Sequence, residues 1–119
     1  MKQYYIVSLK HTSKGDTALT FWGDNHCGYR WHKKGVGIYT EEEAEKIKDE
    51  WNVPVLKEDA DKFWMNALDF KDEYVSVPNN PTVLHHLKLD SKYMKPKKMQ
   101  GCRMVFINTP VIPEQTIKP

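Results

Sequence analysis

His11, Thr12 and Ser13 are the first residues of this chain whose types and order could do chemistry. A histidine two positions before a hydroxyl is half of the pattern with which paired histidines cleave phosphodiesters, one ring acting as base and the other as acid. The pattern needs two copies, and none of His26, His32, His85 or His86 has Ser or Thr two positions on. An enzyme working on phosphodiesters through His11 is therefore the least favoured function. His26, Cys27 and His32, with Cys102, are donor types that suit zinc, but the paired spacing of a zinc site is missing. We assign no catalytic residue, no metal ligand and no cofactor from sequence.

Binding chemistry is better represented. Between Thr17 and Tyr39 the chain gathers Trp22, Trp31, Tyr29, His26, His32, Arg30, Lys33 and Lys34 among turn-forming glycines. Aromatic and arginine side chains supply large contact area at low entropic cost. The candidate contact residues are Trp22, Asn25, His26, Tyr29, Arg30, Trp31, Lys33 and Lys34. Cations interleaved with rings are also the composition of a nucleotide or nucleic-acid site, where lysines meet phosphates and rings stack on bases. Tyr29, Arg30, Trp31, Lys33 and Lys34 would carry that function. Gly37-Ile38-Tyr39 matches the first half of the GIY-YIG nuclease motif, but a glutamate-rich segment stands where the second tyrosine strand should follow.

The elements that must hold these residues are those of one α+β domain, mostly antiparallel sheet with two or three helices packed on one face. Tyr4 to Leu9 is apolar on both parities, with Tyr5, Val7 and Leu9 opposite Tyr4 and Ile6, as in a central strand. Strands are expected over 3–9, 17–22, 28–31, 73–77 and 102–107. Thr40 followed by three glutamates reads as a capping box. It opens a helix over 41–51 with Ala44, Ile47 and Trp51 inward. A second helix is expected over 57–68, and Pro54 keeps the segment between them extended. Asn80-Pro81 caps a short third helix with Val83, Leu84 and Leu87 inside. Residues 1–109 form the domain and 110–119 a proline-containing tail.

At 119 residues the chain can bury one core without covalent staples. It has no apolar run near 18 residues and no leader-like start, so it is expected in the cytoplasm with Cys27 and Cys102 as free thiols. The net charge of +2 hides a division: residues 41–73 hold 12 of the 16 acids and five of the 18 cations, a net of −7, against +9 for the remainder. Such a field steers association.

The runs YYIVSLKHT at 4–12, LTFW at 19–22, GYRW at 28–31 and the glycine-led YTEEE at 37–43 give the first 45 or so residues a pattern of their own. It resembles that of small uncharacterised accessory proteins of phages and prophages. The resemblance implies a phage accessory origin and action by binding in the host cytoplasm, either blocking a host factor or sequestering a nucleotide signal. The expected function is a non-enzymatic protein that binds and blocks a host protein, defence proteins included. The alternative is a binder of nucleotides or short single-stranded nucleic acid.

Overall fold

A computed structural model describes residues 1–66 and 75–96. Its centre is β1 (Gln3–Ser8), which pairs antiparallel on both sides. On one side β5 (Asn52–Leu56) runs its whole length, from Tyr4 opposite Leu56 to Ser8 opposite Asn52. On the other, β4 (Tyr39–Thr40) covers the first half and β2 (Phe21–Trp22) the second, with Val7 opposite Phe21. The edge hairpin is completed by β3 (Tyr29–Arg30), Trp22 facing Tyr29 and Phe21 facing Arg30. A separate two-stranded ribbon joins β6 (Met65–Asn66) to β7 (Val75–Ser76).

Because β1 is apolar on both parities, it divides two cores. Tyr5, Val7 and Leu9 join Leu19, Phe21, Val55, Ala60, Phe63, Val83 and Leu87 in the larger one. Those residues bring in α2 (Lys57–Ala60) and α3 (Pro81–Leu87). Ile6 on the reverse face packs with Tyr39, Ala44 and, at the margin, Tyr4, Trp22 and Ile47, which seats α1 (Glu41–Ile47). The helices that share a face are thus α2 and α3, while α1 lies behind the sheet.

Local signals explain the helix starts. Thr40 accepts the Glu43 amide at 3.1 Å while the Glu43 carboxylate accepts the Thr40 amide at 2.8 Å. Asn80 caps α3 by accepting from Val83 at 2.9 Å, with Pro81 at the first position. The ends differ from expectation. α1 stops at Ile47 because Asp49 turns the chain, its Oδ1 accepting the Trp51 and Asn52 amides. Trp51 is accordingly 40% exposed and not inside. The helix expected over 57–68 ends in a 3-10 turn at Asp61–Phe63. Trp64 is extended there, and its indole is bound to Asp61 at 2.9 Å.

Thr17 to Thr20 are not a strand either: Ala18 bridges Pro78, and the Leu19 amide donates to Val77. Residues 53–55, read only as extended, supply the longest partner of β1. Of 73–77, Val75–Ser76 form a strand; the strand expected over 102–107, and the tail, lie outside the described residues.

Candidate functional site

The turn between β2 and β3 is where the sequence departs furthest from ordinary backbone. Gly23 donates to the Gly28 carbonyl at 2.9 Å, and between them Asn25 and His26 are both left-handed, at φ 58° and 55°. Each such non-glycine residue costs on the order of 1 kcal/mol. Tyr39, buried in β4, offsets that cost: its hydroxyl donates to the Gly23 carbonyl and accepts the His26 amide at 2.7 Å. Burial, with Asp24 and Glu43 nearby, raises the phenol above its ordinary value and keeps it a donor, although the His26 amide acts the other way. Gly37 must be glycine for the loop to lie this close, since a Cβ there would stand 2.6 Å from the Gly23 oxygen.

This clamp lays a row of rings along the α1 side of the sheet. The Trp22 indole is fixed by its Nε1 donating to Asn52 Oδ1 at 2.7 Å. His26 lies 3.9 Å and Tyr29 4.4 Å from it, centroid to centroid, and His11 stacks 3.8 Å from Tyr29. Trp31 adjoins the row, donating from Nε1 to Thr20 Oγ1 at 2.9 Å. Tyr29 is 41% and Trp31 37% exposed, so these two rings form a face open to solvent, while Trp22 beneath them is half-buried against the smaller core. Trp51 extends the aromatic surface toward β5, with the Lys10 ammonium 5.5 Å from its ring.

Two hydroxyls near His11, those of Ser8 and Thr12, are committed to structure. Ser8 Oγ stands 3.0 Å from His11 Nδ1 and orients the ring, but Ser8 is fully buried and cannot reach a substrate. Thr12 Oγ1 donates to the Ser8 carbonyl at 2.8 Å and accepts the Thr20 amide at 3.2 Å. The Ser13 amide is bound to Asp16 at 2.9 Å. Burial first, then Lys95 and Lys10, lower the His11 pKa and favour the neutral imidazole.

Of the eight expected contact residues, Trp22, His26 and Tyr29 touch one another, and Asn25 and Trp31 flank them. Arg30 is paired with Phe21 and so leaves β3 on the opposite side from Tyr29. Its guanidinium lies against Gly28, at φ 77°, and donates to the Tyr29 carbonyl at 3.0 Å. Lys33 goes the same way, its ammonium 5.8 Å from Trp64. Lys34 is exposed on a 3-10 turn at Lys33–Gly35. His11 and Lys10, basic residues whose types suit a phosphate site, do lie beside the rings; Tyr39 and Trp51 were not expected there, since helical spacing placed Trp51 inside and nothing local marks Tyr39 as a clamp.

His32 turns toward Ser76, at 3.4 Å, while His26 stacks on Trp22. Among the described residues no three His, Cys, Asp or Glu side chains gather as a metal site. Clefts of about 360 Å³ beside Met1, Lys2 and Lys57, and about 300 Å³ beside Pro54 and Leu87, lie at other parts of the surface. No helix among the described residues is long and apolar enough to cross a membrane. Comparison with protein-family models, with curated proteins and with solved structures returns no match.

Proposed function

We propose that the protein acts by binding and not by turnover, as a phage-type accessory protein that ties up a host component on its ring face. The observation that carries this is the row His11, Tyr29, Trp22, His26, held by hydrogen bonds from Asn52 and Tyr39 and open to solvent at Tyr29 and His26. Rigid aromatic surface of this kind is what recognition sites are made of, because its order is established before the partner arrives. The Thr12 hydroxyl is meanwhile spent on the Ser8 carbonyl, and the Ser8 hydroxyl, paired with His11, is buried away from any substrate. The phage origin rests on the resemblance of the first 45 residues, and a host protein is the partner that it suggests.

The test is capture from a host lysate with the whole chain immobilised. One dominant species should be retained, lost when Tyr29→Ala and Trp31→Ala are combined, and kept by Lys62→Ala on the α2 side. Capture that is indifferent to the ring changes would remove the face from the function.

A further inference from the structure

The ring face has a cationic end. Lys10 precedes His11 in the chain, and Lys95 is brought beside it from far along the sequence. The Lys95 amide donates to the Thr12 carbonyl at 3.1 Å, the Lys14 amide donates to the Lys95 carbonyl at 3.1 Å, and Ser13 bridges Lys95. Both ammonium groups are felt at His11. Among the described residues no carboxylate stands within ion-pair distance of Lys10, Lys14 or Lys95. The acids nearest Lys10 and Lys95 are held by backbone amides: Asp49 by those of Trp51 and Asn52, and Asp16, buried, by that of Ser13 at Oδ2 only.

We propose that this face binds a short single-stranded nucleic acid, with bases stacked against the exposed rings of Tyr29 and Trp31 and backbone phosphates on Lys10 and Lys95. The assignment rests on the proposed function in taking the ring face as the contact surface, and names what is recognised there. Rings in series with cations at one end suit a strand, because every base has a stacking face and the phosphates repeat beside it. The length is limited by α1, which lies on the same side of the sheet and exposes Glu41, Glu42 and Glu45. A long polyanion would run into that charge, whereas a few nucleotides need not.

The experiment is titration of the whole chain with a labelled oligothymidylate of about eight nucleotides, read by anisotropy and tryptophan quenching. Binding should weaken with salt by about 0.7 log units per log unit for each phosphate met. Tyr29→Ala should weaken it by about 5- to 150-fold, the value of one stacked base. Lys10→Gln with Lys95→Gln should flatten the salt slope by about 1.4, with circular dichroism confirming that the variants fold. Absence of binding, a salt-independent response, or equal affinity for thymidine monophosphate would overturn the proposal. Loss of a captured host protein in the Tyr29→Ala, Trp31→Ala variant without any oligonucleotide binding would overturn it too, while leaving the ring face as a protein contact. Failure of both capture and titration would remove both.

Discussion

At the scale of single residues, Asp61 does the most joining. Its Oδ1 accepts the Tyr5 hydroxyl at 2.6 Å and the Trp64 indole at 2.9 Å, and its Oδ2 the Lys57 ammonium at 2.9 Å. One carboxylate thereby ties the central strand to α2 and to the end of the 3-10 turn. Burial works to raise its pKa, but the three hydrogen bonds prevail and hold it below the ordinary carboxylate value. The stability this contributes is fully present above the unfolded value, near pH 4, and is lost as pH falls through the lower folded one. Asp61→Asn should cost about 1–3 kcal/mol at neutral pH. In acid its melting temperature should fall less steeply than that of the wild type. Parallel acid profiles for the two proteins would show that the carboxylate charge does not carry this link.

At the scale of elements, β5 has, among the described residues, an outer edge without a strand beside it, a place where chains can add to one another. Asn52 turns its backbone groups outward, its amide to Asp49 Oδ1 and its carbonyl to the Asp49 amide. By alternation Pro54 also faces outward, where a residue with no amide hydrogen costs the ladder nothing and offers an incoming strand no donor. Pro54→Thr should leave the β1 pairing intact and increase self-association, seen as a larger mass by light scattering at high concentration. A variant that stays monomeric at every concentration would show that α2, which follows directly, protects the edge by itself. The third helix shows the opposite economy: its cap, Lys88, is left-handed at φ 58°, a position that glycine would occupy without strain.

At the scale of the molecule, two cores stand back to back on one strand. Ile6 fills the smaller core under α1 while Val7 fills the larger one under α2 and α3. Neither can be opened without disturbing β1, so the described domain should melt as one unit. Ile6→Ala should cost about 2–5 kcal/mol, and helix content and tertiary signals should be lost together at a lower temperature. Two separated transitions, with α1 melting first, would show that the smaller core is only an attachment. The charge division has a shape as well: α1 and its acids lie on the same side of the sheet as the rings, so a partner meets both at once.

Much of this was readable in the residues. The double-sided apolar pattern of Tyr4 to Leu9 announced a central strand, and Thr40 and Asn80 announced helix starts, because caps and alternation are decided within a few positions of chain. Trp22, His26 and Tyr29, grouped in the sequence by their company of turn formers, do meet as one row of rings. The helix ends were not: Asp49 and Asp61 stop α1 and α2 by bonds that an amphipathic stripe does not display, and Trp51 kept helical spacing while lying outside.

Sequence alone, then, determined the fold class, the middle strand and the kinds of side chain available for recognition, since these follow from local propensity and periodicity. Only the tertiary structure decided which of them meet. His11, Lys10 and Lys95 reach the rings through pairings between distant segments, Arg30 leaves by strand alternation and Lys33 by the 3-10 turn that follows β3, for register between strands is fixed by the packing of the whole sheet.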